Sequence, residues 1–231
     1  MAITRRLLIA AAAALPAASL AHAQTAPTET APTEAAPGQT APAETPRVQV
    51  LLDADSDPRM ADRTLGSPDA KVVVTEWFSL TCTHCAAFQK DTFPQVREKL
   101  IDTGRVRYVW RDYPLDQVAL TAAMVARALP PERYEPFISA LLASQDRWAF
   151  ARGVNATEEL AKLAALAGMS RDTFLLTVGD GKLKQAILAA QEAAEKKSKV
   201  TSTPSFIIND KLVAGAVPYA DFAKAVEAAA A

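Results

Sequence analysis

The two cysteines of the chain stand together in Cys82-Thr83-His84-Cys85, directly after a run of strand-forming residues. A close cysteine pair with a histidine between its members, placed where a helix follows a strand, is typical of a thiol–disulfide redox centre. A structural zinc site would need a second pair of ligands, and a disulfide framework would need more cysteines. The sequence therefore predicts no metal site and no cofactor.

The first 23 residues have the composition of a secretory signal. Arg5 and Arg6 precede an apolar run from Leu7 to Leu20, and Ala21-His22-Ala23 has the small residues of a cleavage site. The run has 14 residues, which is short for a membrane-spanning helix, since a span of the bilayer takes about 20 residues. A cleaved signal is therefore favoured over a membrane anchor, and general secretion over twin-arginine export. These features predict a periplasmic protein, in a compartment where cysteine pairs can be oxidised.

Residues 24–46 repeat alanine, threonine, proline and glutamate. This composition cannot build a core, so a disordered linker is predicted there and one folded domain over 47–231. Loss of the leader removes two arginines and no acid, which changes the formal net charge from −1 to −3. Because long basic runs are also lacking, binding to nucleic acid is not expected.

The apolar pattern of the folded part predicts a strand, the cysteine helix, a strand, a helical block, a hairpin and a last helix. Strands are predicted at 48–52, 71–79 and 106–113, and a hairpin at 205–214. Helices are predicted from the cysteine pair to Gly104 with a break at Pro94, and at 115–129, 132–144, 155–168, 170–179, 183–199 and 219–230. Residues 53–68 are predicted to form a loop. The fold class is therefore α/β, a mixed sheet flanked by helices and interrupted by a helical insertion at 115–199.

This arrangement resembles the DsbA family of thioredoxin-fold dithiol oxidases over residues 66–231. The resemblance rests on the cysteine motif after a strand, the helical insertion, and Thr203-Pro204 before a hairpin. It implies an oxidase that donates its disulfide to unfolded or reduced exported proteins and is reoxidised by a membrane partner of the DsbB type. A monomer is expected, since the known isomerases of this fold oligomerise through an N-terminal segment that 24–46 cannot provide.

The resemblance assigns a role to each member of the cysteine motif. Cys82 would be the nucleophile, because the N–H groups and dipole of a helix start stabilise its thiolate. His84 in the same turn would add positive charge or a donor, and Cys85 would be the buried resolving cysteine. Thr83 stands where proline is usual in the best-known member, a difference that bears on the redox potential more than on the class.

Two further positions resemble the family pattern. Glu76 lies six residues before the first cysteine, where thioredoxin-like proteins have a buried acid that can exchange protons with Cys85. The alternative is a structural strand glutamate, paired with Arg111. The Thr203-Pro204 pair resembles the cis-proline loop that faces the cysteines, where the backbone of Thr203 can pair with an extended substrate chain.

The spacing of the other aromatic residues indicates where they lie. Trp77, Phe78, Phe88 and Trp110 fit the core, whereas Trp148 and Phe150 are predicted in a loop with no assigned role.

A disulfide isomerase or reductase of the same fold is an alternative function, favoured by the polar residue before the proline. A non-catalytic chaperone or metal carrier that uses the cysteine pair is a more distant one.

Overall fold

The structure is a computed structural model, and it describes residues 57–231. The predicted signal at 1–23, the linker at 24–46, the domain boundary at 47 and the strand at 48–52 lie outside the described residues. Within 57–231, strands and helices follow one another in the predicted order, with one strand added before the strand predicted at 71–79.

The elements have the following bounds. The strands are β1 (Arg63–Leu65), β2 (Val72–Phe78), β3 (Val106–Asp112), β4 (Ser205–Ile208) and β5 (Lys211–Ala214). The helices are α1 (Thr83–Asp91), α2 (Phe93–Val96), α3 (Gln117–Ala128), α4 (Pro131–Leu142), α5 (Gln145–Trp148), α6 (Ala156–Leu166), α7 (Arg171–Val178), α8 (Gly181–Ser198) and α9 (Tyr219–Ala230). A 3-10 turn is formed by Pro58–Met60 and a π-helical segment by Arg97–Ile101.

The strands form one mixed sheet in the order β1-β3-β2-β4-β5. Strand β2 pairs in parallel with β3 and antiparallel with β4, and the other pairs are antiparallel. The β-branched and aromatic residues of β2 suit a strand buried on both faces, which explains its central place. Glu76 consequently stands in the middle of the sheet, opposite Trp110 of β3 and Phe206 of β4. The arrangement is thioredoxin-like, as the resemblance implies.

An aromatic core fixes α1 against the sheet. The ring of Phe88 lies 4.6 Å from that of Phe206 and 5.8 Å from that of Phe222 in α9, measured between centroids. The aromatic residues predicted for the core are all buried, namely Trp77, Phe78, Phe88 and Trp110. The break predicted at Pro94 is confirmed, because α1 ends at Asp91 and α2 begins at Phe93. Proline suits the first turn of a helix, where its missing N–H has no intrahelical partner to lose.

Six helices, α3 to α8, lie between β3 and β4. A buried ion pair joins them to the sheet, since Nε of Arg127 in α3 donates to Asp112 at 2.6 Å. The other nitrogens of Arg127 donate to the carbonyl oxygens of Ala61 and Trp110, and Arg63 of β1 donates to the carbonyl of Arg127. Because a buried charge is costly without partners, this network holds the helical block firmly against β1 and β3.

Two sequence predictions are wrong in detail. Residues 53–68 were predicted as a loop, but Arg63–Leu65 pairs with β3, and three residues are too few to show a strand alternation. Trp148 was predicted in a loop, but it lies in the short helix α5 and is buried. Its Nε1 donates to the carbonyl of Leu141 at 2.8 Å. Phe150, in the following turn, is exposed.

Candidate active site

The side chain of Cys82 caps the start of α1. Cys82 has extended backbone angles, φ −84° and ψ 117°, and its Sγ accepts the N–H of Cys85 at 3.4 Å. In the thiol form, the Sγ–H group of Cys82 donates to the carbonyl oxygen of Thr203 at 3.3 Å, on the loop that precedes β4. Because the first N–H groups of a helix are unpaired and its dipole is positive there, this position favours a negative sulfur.

The two thiols have opposite environments. A hydrogen bond from the Cys85 thiol is the largest cause that lowers the pKa of Cys82 to about 5. Burial opposes this, and Thr203 and two backbone N–H groups add to it. Burial raises the pKa of Cys85 far above the usual thiol range, with further contributions from Cys82 and from the charge of Glu76. Cys82 is 7 % exposed and Cys85 1 %. At neutral pH the thiolate is therefore on Cys82, the more accessible sulfur.

Glu76 is a buried acid beneath the cysteine pair. It is 3 % exposed, and the hydroxyl of Tyr108 in β3 donates to its Oε2 at 2.9 Å. Burial raises the pKa of Glu76 to about 8, although the Tyr108 bond opposes the shift. Within residues 57–231 Glu76 has no salt-bridge partner, and Arg111 pairs with Asp62 instead. The alternative of a Glu76–Arg111 pair is therefore wrong.

The Thr203–Pro204 loop faces the cysteines. The peptide bond between the two residues is cis, and the carbonyl of Pro204 accepts the N–H of Gly215 at 2.8 Å. The carbonyl of Thr203 is the group that contacts Cys82 Sγ. Thr83 and His84 are exposed in the first turn of α1, directly after Cys82. The predicted site residues thus form one cluster around Cys82.

Three residues that sequence reasoning missed also touch this cluster. Tyr108 holds the carboxyl of Glu76, and Gln145 and Asp116 bond to the turn that leads into Cys82. Asp116 caps α3 by accepting the N–H of Ala119 at 2.7 Å, so its position before a helical pattern gave a usable signal. Tyr108 and Gln145 reach the site through tertiary packing alone, which no local pattern reports.

The part of the chain that the structure describes, 57–231, has no group of three or more His, Cys, Asp or Glu side chains placed to hold a metal ion. None of the helices within that same range is both long and apolar enough to cross a membrane.

Comparisons with known proteins agree with the fold. The thioredoxin family model matches residues 59–228. The crystal structure of Wolbachia pipientis alpha-DsbA1 superposes with a TM-score of 0.67 and 32% identity, over 74% of this chain and 92% of that one. This chain belongs to the DsbA family. Another DsbA-like structure, named a protein-disulfide isomerase and taken from Novosphingobium aromaticivorans, is 25% identical. Its superposition covers 73% of this chain and 97% of the Novosphingobium aromaticivorans chain, with a TM-score of 0.63.

A longer relative of this DsbA-family chain is found in Rickettsia bellii. That protein, provisionally named a protein-disulfide oxidoreductase, is 32% identical over 149 residues, or 64% of this chain. The match covers 57% of the Rickettsia bellii protein, so the chain spans a little over half of the length of that curated relative.

Proposed function

We propose that this DsbA-family protein is a thiol:disulfide oxidoreductase, and specifically a dithiol oxidase that donates its Cys82–Cys85 disulfide to other proteins. The observation that supports this best is the asymmetry of the pair, with a stabilised thiolate on Cys82 and a buried thiol on Cys85. A stabilised thiolate makes the dithiol form favourable. The oxidised form therefore passes its disulfide readily to a substrate.

The first step of the proposed reaction forms a mixed disulfide. A substrate thiolate attacks Sγ of Cys82, the Cys82–Cys85 bond breaks, and a bond forms between the substrate sulfur and Cys82. The electron pair leaves on Cys85, whose high pKa requires a proton at once. Glu76 is a buried acid with a pKa of about 8, so it holds a proton at neutral pH and can supply it.

The second step releases the oxidised substrate. A second substrate thiolate attacks the substrate sulfur of the mixed disulfide, and Cys82 leaves as a thiolate held by the N–H groups of the helix start. Two electrons have then passed from the substrate dithiol to the cysteine pair. The half-buried loop at Thr203, which borders the sulfur of Cys82, is where an extended substrate chain would pair during both steps.

The proposal includes a cellular setting. Residues 1–23 would be cleaved as a signal, 24–46 would be a linker, and 47–231 would act in the periplasm as a monomer with its helical insertion at 115–199. Unfolded or reduced exported proteins would be the substrates. A membrane partner of the DsbB type would take up the two electrons and restore the disulfide. The five-residue repeat of small and proline-containing motifs in 24–46 fits a spacer better than an oligomerisation segment.

A disulfide isomerase is the second candidate, because the Novosphingobium relative has that name and Thr203 is polar. Paired assays at the same enzyme concentration distinguish an oxidase from an isomerase. An oxidase, supplied as the disulfide, speeds thiol loss from a reduced unfolded protein. An isomerase, supplied as the dithiol, speeds reactivation of a protein with scrambled disulfides. We expect the first activity to dominate, and a dominant second activity in a stable oligomer would overturn the oxidase proposal.

The exposed histidine of the motif gives a prediction of its own. His84→Ser is expected to shift the equilibrium with a glutathione buffer toward the disulfide by about 10-fold or more, because one donor or charge beside the thiolate is lost. Ala87→Ser, at an exposed position of the same helix, keeps the histidine and the motif and is the matched control. An equilibrium constant equal to that of the wild type in His84→Ser would remove His84 from the mechanism.

A further inference from the structure

The turn that leads into Cys82 is held by a side chain from the helical insertion. Gln145 is the first residue of α5, far from the cysteines in sequence and 6 % exposed. Its Nε2 donates to the carbonyl oxygen of Leu80 at 2.9 Å and to that of Cys82 at 3.0 Å. A primary amide has two N–H donors, so one glutamine bridges both carbonyls of the turn.

The bridged carbonyl of Cys82 also starts the helix. It accepts the N–H of Ala86 at 3.1 Å, which is the first hydrogen bond of α1. The carbonyl of Cys82 is thus held by Ala86 and Gln145, and its own N–H donates to the carbonyl of Ser79 at 3.1 Å. Its sulfur is held by the Cys85 N–H and the Thr203 carbonyl. Because these bonds meet on one residue, the direction of the carbonyl and the direction of Sγ are set together.

A second helix of the insertion contacts the same turn. The hydroxyl of Thr81 donates to Asp116 at 2.7 Å, and Asp116 is the N-cap of α3. Ser79 Oγ accepts the N–H of Leu115 at 3.4 Å. Of these contacts, the Gln145 bonds are the ones that reach the nucleophile's own backbone, and both accepting carbonyls are buried with their residues. Loss of the amide would take its donor from the buried carbonyl of Leu80 and leave that of Cys82 with the Ala86 N–H alone, which favours rotation of the turn.

We propose that Gln145 is a positioning residue, through which the helical insertion holds Cys82 in the backbone geometry that directs its sulfur to the helix N–H groups. This inference rests on the proposed redox function of the cysteine pair. It assigns the insertion a role in thiolate reactivity in addition to its packing against the sheet. Without Gln145 the sulfur would spend less time at the helix start, and the thiolate and the dithiol form would both be less favoured.

The test compares Gln145→Met with a matched variant, Gln89→Met. Gln89 of α1 also bonds to the insertion, through Ser139 at 3.0 Å, but it does not touch the cysteine turn. The pH midpoint of Cys82 alkylation and the equilibrium with glutathione are measured in both variants and in the wild type. We expect Gln145→Met to raise the midpoint by about one pH unit and to shift the equilibrium about 10-fold toward the disulfide. Gln89→Met is expected to leave both values unchanged.

The outcomes separate this inference from the proposed function. A folded Gln145→Met variant with the midpoint and equilibrium of the wild type would overturn the positioning role, whatever the wild-type values are. An ordinary thiol midpoint in the wild type would instead count against the oxidase. If Gln145→Met does not fold, Gln145→Asn keeps the amide one methylene short of the two carbonyls. It should move both values in the same direction, and unchanged values there would also overturn the inference.

Discussion

Replacing Cys82 by serine is expected to lower the rate of dithiol oxidation by at least about 10³-fold, in the range that follows loss of a catalytic nucleophile. The reason is that the remaining sulfur, on Cys85, is buried and has a pKa far above neutral. The rate is measured as loss of free thiols from a reduced unfolded protein. A Cys82→Ser variant that keeps its activity in cells would favour a chaperone role or another use of this face.

The complementary variant, Cys85→Ser, distinguishes the two sulfurs. Treated with oxidised glutathione, it should accumulate a single stable glutathione adduct on Cys82, because no resolving thiol is left to displace it. The wild type should convert the same adduct into its internal disulfide, and Cys82→Ser should form little adduct. Mass measurement of the intact proteins reads all three results. If the Cys82→Ser variant formed an adduct on Cys85 as fast as the Cys85→Ser variant forms one on Cys82, the assignment of Cys82 as the nucleophile would be contradicted.

Replacing Glu76 by glutamine is expected to abolish a large pH dependence of stability. The pKa of Glu76 is about 8 in the folded protein, raised by burial from an ordinary value of 4.5. Between these values the folded state holds a proton that the unfolded state has released. The contribution of Glu76 to the free energy of unfolding should therefore be highest below the lower value and fall by roughly 3–5 kcal/mol as the pH rises through this window. The lowered pKa of Cys82 gives the dithiol form an opposite slope over much of the same window, so the Glu76 contribution is obtained as the difference between the wild type and Glu76→Gln. A neutral glutamine can accept the Tyr108 hydroxyl at every pH and should remove this fall.

The measurement is denaturant unfolding of the dithiol form, with reductant present, at several pH values between 5 and 8. Glu98→Gln is the matched control, because Glu98 is exposed on the π-helical segment. We expect the control to follow the wild type and Glu76→Gln to gain stability, relative to the wild type, as the pH rises. Parallel curves for the wild type and Glu76→Gln would show that Glu76 is charged in the folded protein at neutral pH.

The same variant also tests the proton role. Because glutamine cannot donate a carboxylic proton, Glu76→Gln should slow the step in which Cys85 leaves as a thiolate, by about 10-fold or more. Stopped-flow mixing of the oxidised variant with a small dithiol, followed by Trp fluorescence, gives this rate. Full activity together with the expected gain in stability would assign Glu76 a structural role.

The sequence predicted those features that depend on local pattern. The run that became β2 is β-branched and aromatic, and the helix after it begins at a residue whose side chain can cap it, so the place of Cys82 followed from neighbours alone. The hairpin from Ser205 to Ala214 was equally local. Glu76 was found because its offset from the cysteines matches a known family, since a polar residue in an apolar strand has several meanings by itself.

Features that depend on distant contacts were missed or misplaced. Strand β1 is three residues long and is held by the pairing with β3 and by the Arg63 bond to Arg127, neither of which leaves a trace in its own sequence. Trp148 was placed in a loop because α5 has a single turn, too short for a helical period. Gln145 is one polar residue at the start of the single-turn helix α5, and only packing of the insertion brings it to Cys82.

The most direct test of the central claim is the equilibrium of the Cys82–Cys85 pair against a glutathione buffer. The fraction of dithiol is measured at several ratios of reduced to oxidised glutathione, by alkylation and mass. A stabilised Cys82 thiolate predicts a redox potential close to that of DsbA, about −120 mV. Such a potential would make the pair a donor of disulfides. A potential near the about −270 mV of thioredoxin would contradict the account and make the protein a reductant that needs an electron source.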